Sequence, residues 1–161
     1  MDTSLKITPV ATGKKWVMGK NIRSSPSAIK EIIRSANKDL VLTIFSLTDD
    51  EIVDAIIETL DRGVCTTIYI SSGELEKKSD EFTAVNRLIK QKEEYDYLNI
   101  IPVDDAVLHA KIVIADRKLL YCGSANLSHN GMLNNYELGL MVNSYETADL
   151  FRGLLLLLEK K

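Results

Sequence analysis

Two short apolar segments constrain the fold of this chain more than any other feature of its sequence. Residues 40–45 (LVLTIF) and 64–70 (VCTTIYI) are nearly continuous in apolar or β-branched side chains, and each is short for a helix. Such runs are typical of strands that are buried on both faces. Between them, residues 48–63 carry apolar side chains at helical spacing, and a strand, helix, strand order predicts a right-handed crossover. We therefore expect an α/β fold with a mixed, largely parallel central sheet and helices on both faces.

The remaining elements are predicted from hydrophobic spacing and from capping residues. The sequence SSP at 24–26 is typical of a helix start, and GKK at 13–15 indicates a turn between two short strands within residues 3–19. Helices are expected over residues 25–37, 48–63, 81–92 and 148–160. Further strands are expected over residues 98–103, 108–115, 119–122 and 136–142.

Composition narrows the class of protein. A chain of 161 residues, 45% of them hydrophobic, can bury one core without metals or disulfides, so we expect a single domain over 1–161. Cys65 and Cys122 form no ligand cluster, which favours a reducing, cytoplasmic location. No secretory signal is recognisable, and the longest apolar stretch has five residues, 154–158, so we expect no membrane insertion. The net charge of −3 argues against a generally sticky nucleic-acid binder.

A histidine and a lysine lie two residues apart in the segment LHAKIVIAD. If this segment is a strand, alternation places His109, Lys111 and Val113 on one face. An imidazole and a cation that point the same way suit an anionic ligand, because burying them without one is costly. Taken alone the pair is a weak signal, since a histidine beside a solvated lysine is common.

The residues downstream of this pair follow fixed spacings, H-x-K-x4-D-x6-G-S-x-N, and a glutamate lies eleven residues beyond the asparagine. At these positions the chain resembles the phospholipase D superfamily, whose signature it matches, including the glutamate of the nuclease-like members. The resemblance is specific over residues 108–142 and implies a phospholipase D/nuclease-like fold. The residues that carry it are His109, Lys111, Asp116, Gly123, Ser124, Asn126 and Glu137.

The chemistry of phosphodiester cleavage explains this set of residue types. The reaction needs compensation of the phosphoryl charge, an in-line nucleophile and an acid for the leaving oxygen. Lys111 supplies a charge, and Ser124 and Asn126 supply directional donors, so these three are the expected substrate-binding residues. His109 is the expected nucleophile, because an imidazole can form a covalent phosphohistidine.

Three further motif residues have supporting roles. Gly123 permits a tight turn that lets the backbone approach a phosphate. Glu137 can hold one ring nitrogen of the imidazole. Asp116 precedes the turn formed by Arg117 and Lys118, so we expect it to be structural rather than to touch substrate.

The mechanism implied by the resemblance needs two histidines, and the chain has one HxK motif. Its other histidine, His129, lies in a loop and is followed by Gly131 where a second lysine would stand. We therefore expect a homodimer that places His109 of one copy opposite His109 of the other. No metal and no cofactor are expected, since Lys111 and Asn126 take the place of divalent ions.

The catalytic residues alone do not select the substrate. Small single-motif members that the chain resembles are endonucleases acting on DNA, which makes DNA the first choice and RNA the second. A phospholipase D-type lipid hydrolase and a non-catalytic phosphate-binding or assembly module remain as alternatives. A helicase or ATPase in a restriction or defence complex is the expected protein partner. The candidate basic track comprises Lys14, Lys15, Lys20 and Arg23, with Arg117 and Lys118 beside the site.

Overall fold

An eight-stranded mixed sheet forms the centre of the computed structural model, which describes residues 4–76 and 83–159. The strands are β1 Lys6–Thr12, β2 Arg23–Ser24, β3 Asp39–Ile44, β4 Cys65–Ser71, β5 Leu98–Val103, β6 Ile112–Ala115, β7 Leu119–Gly123 and β8 Glu137–Asn143. Their order in the sheet, within those residues, is β2-β1-β8-β7-β6-β3-β4-β5.

The helices lie between these strands. They are α1 Lys14–Lys20, α2 Ser25–Ser35, α3 Asp50–Asp61, α4 Ser72–Leu75, α5 Ala84–Lys90, α6 His129–Leu133 and α7 Tyr145–Leu156, with a 3₁₀ turn at Gln91–Glu93. Side-chain caps fix where the long helices begin. The Ser24 hydroxyl accepts from the backbone N–H of Ser27, and the Asp49 carboxylate accepts from that of Ile52.

The two faces of the sheet carry separate cores. On one face Leu40, Leu42 and Ile44 of β3 pack with the apolar residues of α2 and α3. On the other, Val41 belongs to a cluster with Leu155 of α7. The predicted α/β class, with a mixed sheet and helices on both faces, is confirmed.

The sheet contains fewer parallel pairs than the sequence suggests. Within the described residues, β3, β4 and β5 pair parallel, as do β1 and β2, and the other four pairs are antiparallel. The tight turn between β6 and β7 permits only antiparallel pairing, and β8 then runs antiparallel to both β7 and β1.

Three predicted elements differ from the structure. Residues 3–19 were expected to hold two strands, but Gly13 has φ 117° and turns the chain out of β1 into helix α1. The helix expected over 148–160 begins earlier, because the Ser144 hydroxyl caps α7, and it ends at Leu156. The helix expected over 81–92 is α5 followed by the 3₁₀ turn; residues 81 and 82 lie outside the described part.

The predicted strand over 108–115 is also shorter. Ladder pairing begins at Ile112, because the Thr43 hydroxyl takes the place of a backbone partner just before it. Thr43 Oγ1 donates to the Ala110 carbonyl at 2.7 Å and accepts from the Ile112 N–H at 2.9 Å. His109 and Lys111 therefore lie in an irregular segment that leads into β6.

None of the helices within the described residues combines the length and the apolarity that a bilayer crossing needs.

Candidate active site

The motif residues gather at one edge of the sheet, with Asp116 as the exception. The register pairs Thr12 with Glu137 and Gly123 with Gly139. β1, β3 and β7 therefore end at this edge, whereas β6 and β8 begin there. We call it the site edge.

His109 and Lys111 are held on the approach to β6. The Lys111 ammonium donates to the His109 carbonyl at 2.7 Å, which folds the lysine back along its own segment. The Phe45 ring, one residue beyond β3, contacts both groups. It packs edge-on against the imidazole, with ring centroids 5.0 Å apart, and its centroid lies 5.4 Å from Lys111 Nζ. Phe45 thus orders the imidazole and the cation together.

The surroundings of Lys111 change its acidity. Burial lowers the pKa of its ammonium below the ordinary value, and the nearby Glu137 carboxylate partly opposes that effect. A partly desolvated cation gains most from an anionic ligand, because that ligand replaces the lost water.

Glu137 is held by two neighbours at the start of β8. Its carboxylate accepts from the Ser124 hydroxyl at 2.5 Å and from the Asn135 amide at 3.1 Å. The Ser124 N–H donates to the Leu138 carbonyl at 2.9 Å, and the Leu138 N–H donates back to the Ser124 hydroxyl at 3.0 Å. In this arrangement both donors of Ser124 are engaged, so a contact with phosphate requires its hydroxyl to turn away from Glu137.

The link between Glu137 and a ring nitrogen of His109 is not present within one chain. Among the described residues, the hydrogen bonds to the Glu137 carboxylate come from Ser124 and Asn135, while the imidazole packs on Phe45. The positions of both side chains at the site edge leave that link as a prediction for the assembled site.

Gly123 has a packing role within the sheet. A Cβ on Gly123 would meet the Tyr121 hydroxyl at 2.5 Å and the Gly139 Cα at 2.6 Å, and a Cβ on Gly139 would meet the Tyr121 ring. The two glycines face each other across β7 and β8 and make room for that ring. The Tyr121 hydroxyl accepts from the Ala125 N–H at 3.3 Å, and burial raises its pKa to about 12.

Asn126 begins a loop that is clamped to the segment after β3. Leu47 and Leu127 form a bridge, and the N–H groups of Thr48 and Asp49 donate to the Leu127 carbonyl at 3.1 and 3.2 Å. The Asn126 Oδ1 is buried and finds no hydrogen-bond partner among the described residues. An orphaned acceptor is costly and needs a donor, so the part of this side chain that suits a phosphate oxygen is its amide NH2 group.

One narrow cleft at the site edge is lined in part by Phe45, Lys111, Tyr121 and Asn126. The cleft has room for about one water molecule, and it brings together a cation and an amide, which suit a single phosphoryl oxygen.

Asp116 lies at the opposite end of β6. Its carboxylate accepts from the backbone N–H groups of Asn37, Lys38 and Asp39 at 2.7 to 3.1 Å. It also has φ 54° in the tight turn that follows β6. These contacts join that turn to the loop between α2 and β3, away from the cleft.

The candidate basic residues divide between the two edges. Arg117 and Lys118 were expected beside the site, but they belong to the turn that starts at Asp116, because β6 carries them the length of the strand away. Lys14 and Lys15 begin α1 at the site edge. Arg23 is paired with Glu31.

His129 is exposed at the first position of α6. Its N–H donates to the Thr48 hydroxyl at 2.9 Å. No contact in the described residues joins its side chain to His109 or Lys111.

Sequence reasoning missed the residues that support the motif. The role of Thr43 could have been inferred, because it is the one hydroxyl residue in the apolar run LVLTIF and a buried hydroxyl must find hydrogen-bond partners. The other supporting residues act through tertiary contacts, which the sequence around each residue does not indicate. They are Phe45, Tyr121, Gly139 and Asn135.

No set of three or more His, Cys, Asp or Glu side chains within residues 4–76 and 83–159 is arranged to hold a metal ion.

The family follows from a comparison with known proteins. The family model described as "Cardiolipin synthase, PLD-like domain" matches residues 29–155. The chain therefore belongs to the phospholipase D superfamily, a superfamily of phosphodiesterases with nuclease members.

Two curated proteins show the relationship in sequence. The DISARM protein DrmC of Bacillus paralicheniformis is 28% identical over 123 residues, which cover 75% of this chain and 50% of that protein. The virion nicking-joining enzyme of vaccinia virus is 29% identical over 122 residues, which cover 70% of this chain and 28% of the enzyme. The chain thus spans half or less of these relatives.

A solved structure shows the relationship in fold. The phospholipase D family member Nuc from Salmonella typhimurium superposes with a TM-score of 0.74 at 17% identity, covering 93% of this chain and 91% of that one. This likeness confirms the predicted phospholipase D/nuclease-like fold.

Proposed function

We propose that this chain is a metal-independent phosphodiesterase, an endonuclease that cleaves DNA through a phosphohistidine at a site shared by two copies. The observation that carries the proposal is the convergence of His109, Lys111 and Asn126 at one edge of the sheet, with Ser124 and Glu137 bonded to each other beside them.

The proposed reaction has two displacements at phosphorus. In the first, a nitrogen of the His109 imidazole attacks in line, the P–N bond forms, and the P–O bond to the leaving oxygen breaks. The leaving oxygen takes a proton from the His109 imidazolium of the second copy. In the second, that neutral imidazole accepts a proton from water, whose oxygen attacks phosphorus while the P–N bond breaks. Both histidines return to their starting states.

The supporting residues have distinct parts in this scheme. Lys111 compensates charge on the equatorial oxygens, and the Asn126 amide donates to one of them. Glu137 faces the imidazole in the assembled site, and Ser124 positions Glu137. Phe45 restrains the attacking ring, which lowers the entropy lost on reaching the in-line geometry.

Two features support a site shared by two copies. The scheme needs a second imidazole. Within one chain, His129 lies at the start of α6, and no described contact joins its side chain to His109 or Lys111. From the site edge toward the opposite end of the sheet, Leu138 (55%) and Leu140 (40%) on β8 and Ile7 (52%) on β1 are exposed. A contiguous exposed apolar patch is typical of a protein interface.

DNA is proposed as substrate because one relative is named a nicking-joining enzyme and another belongs to DISARM. The DrmC likeness also supports a partner protein in a defence complex, which we propose to be a helicase or ATPase. The description of the family model names cardiolipin synthase, so a lipid phosphodiester is the second candidate substrate.

The catalytic proposal is tested with a matched pair of histidine variants. Wild type, His109→Ala and His129→Ala are incubated in EDTA with bis(p-nitrophenyl) phosphate, plasmid DNA, single-stranded DNA and phosphatidylcholine vesicles. We expect wild type and His129→Ala to cleave the chromogenic diester and DNA, and His109→Ala to cleave neither. Equal cleavage by wild type and His109→Ala contradicts the proposal, as does activity that EDTA removes and magnesium restores. Cleavage of lipid without cleavage of either form of DNA establishes the second candidate.

Site sharing is tested by mixing. Wild-type chains are unfolded and refolded with increasing amounts of His109→Ala chains, and formation of heterodimers is confirmed by native mass spectrometry. If each site needs two copies of His109, activity follows the square of the wild-type fraction. A linear decrease with heterodimers present contradicts sharing.

A further inference from the structure

The short helix α1 carries an unusual surface. Trp16 (38%) and Met18 (73%) are exposed beside three lysines, and none of its seven residues is buried. Residues 12–23 contain no Asp or Glu, although the whole chain has a net charge of −3. Lys14, Lys15 and Lys20 make no ion pair with any described residue. α1 therefore presents three lysines without a described ion pair, together with the exposed part of an aromatic ring.

This surface is continuous with the candidate site. Thr12, which ends β1, pairs directly with Glu137, and α1 begins two residues later. The Trp16 ring packs on Tyr136, the neighbour of Glu137, with centroids 4.7 Å apart and planes tilted by 52°. A Cβ on Gly13 would meet the Tyr136 ring at 2.5 Å, so this glycine lets the ring lie against the backbone.

From this arrangement we infer that α1 binds single-stranded nucleic acid and leads it to the cleft. The binding surface, which we call the α1 platform, consists of Lys14, Lys15, Trp16, Lys20 and Tyr136. Non-specific single-strand sites combine cations that track the backbone with aromatic rings on which bases stack. Unpaired bases offer the faces that such rings need, whereas a duplex hides them. The inference rests on the proposed function and specifies the form of its substrate.

Two other occupants suit the platform less well. An isologous contact centred on α1 would bring its lysines close to the same lysines of the mate, which repel. A bilayer surface requires apolar residues along one helix face. In α1 the apolar residues Trp16, Val17 and Met18 are consecutive, so they are spread around the helix.

The platform is tested in protein that binds without cleaving, in the His109→Ala background. Trp16 is the one tryptophan of the chain, so its fluorescence reports directly on stacking. We expect a fluorescein-labelled dT20 oligonucleotide to bind, to quench the Trp16 emission, and to bind more tightly than a duplex of the same length. Trp16→Ala is expected to weaken binding by roughly 5- to 100-fold.

The charge contribution is tested with a matched pair of double variants. Lys14→Glu with Lys15→Glu removes two platform cations, whereas Lys38→Glu with Lys118→Glu makes the same charge change at the opposite edge of the sheet. We expect the first pair to weaken dT20 binding and to reduce the slope of log affinity against log salt by at least about 1.4, from about 0.7 per lost phosphate contact. The second pair should change neither the slope nor the Trp16 quenching.

The outcomes separate the platform from the proposed activity. With His109 restored, the platform variants should hydrolyse bis(p-nitrophenyl) phosphate as wild type does, while losing cleavage of single-stranded DNA. Binding of dT20 that is unchanged in Trp16→Ala and in the lysine pair overturns the platform, and the diester activity then still supports the proposed function. The platform is also overturned if its variants lose the ability to form dimers, or if the His109→Ala protein binds anionic vesicles and does not bind dT20. An inactive wild type overturns the proposed function itself.

Discussion

The two ends of strand β6 carry residues of the same motif in opposite physical situations. At the far end, the Asp116 carboxylate is satisfied by three backbone N–H groups. At the site edge, Lys111 is partly desolvated and the Asn126 Oδ1 is buried without a described partner. A polar group that the protein satisfies stabilises the fold, whereas a partly desolvated cation is available to an anionic ligand. The comparison thus separates the structural residue of the motif from those proposed to act on substrate.

The largest expected effect comes from removing the cation at the site edge. Lys111→Met should reduce kcat/KM for the chromogenic diester by roughly 10³-fold, because charge stabilisation in the transition state is lost. Its unfolding midpoint in urea should be unchanged or higher, since a partly desolvated ammonium is replaced by an apolar side chain of similar length. If Lys111→Met unfolds more easily but hydrolyses the diester normally, Lys111 is a structural residue and the distinction between the two ends of β6 is wrong.

Asp116→Ala should show the opposite pattern. Three backbone donors lose their acceptor, and alanine is less tolerant of φ near 54°, so we expect about 2–4 kcal/mol less stability. Urea unfolding followed by circular dichroism measures the loss. Asp116→Asn is the control, because asparagine accepts hydrogen bonds and tolerates positive φ, and it should recover part of the stability. The activity per folded molecule should stay near wild type in both variants; a large fall in kcat with an unchanged midpoint would place Asp116 in the chemistry.

The elements of the fold differ in how far the sequence predicts them. The strands at the centre of the sheet were recognisable because β3 and β4 are buried on both faces, which leaves a continuous apolar run. Helix α1 was missed because it contributes no buried residue and therefore has no hydrophobic periodicity to detect. The strand β6 begins only at Ile112, and this start depends on a hydrogen bond with Thr43, which is 69 residues away in sequence.

The site was predictable as a list of residues but not as a set of contacts. Fixed spacing within residues 109–126 predicts which residues could act together, since those positions are close in sequence. That Ser124 bonds to Glu137, and that Phe45 packs on His109, depends on the register of the sheet and on a loop after β3. Spacing carries no information about such contacts.

A smaller effect is expected from Ser124→Ala. The variant removes the donor that holds Glu137 and the acceptor for the Leu138 N–H, so we expect a roughly 10-fold lower kcat with little change in KM. Steady-state kinetics with the chromogenic diester measure the two constants separately. Ser35→Ala, which removes a hydroxyl bonded within α2, is the control and should leave both unchanged. A rise in KM alone would instead support direct contact of Ser124 with the phosphate, as the sequence predicts.

The smallest effect concerns pH. Lys111 must be charged to act, and because burial lowers its pKa, the ammonium is lost at a lower pH than for an exposed lysine. The alkaline limb of kcat/KM should therefore fall below the ordinary lysine range. Lys111→Arg keeps the charge to much higher pH, so this variant should retain a lower but flat activity across the same interval. Profiles measured from pH 6 to pH 11, with circular dichroism at each pH to exclude unfolding, test the assignment. An alkaline limb that is identical in wild type and Lys111→Arg would assign the titration to another group.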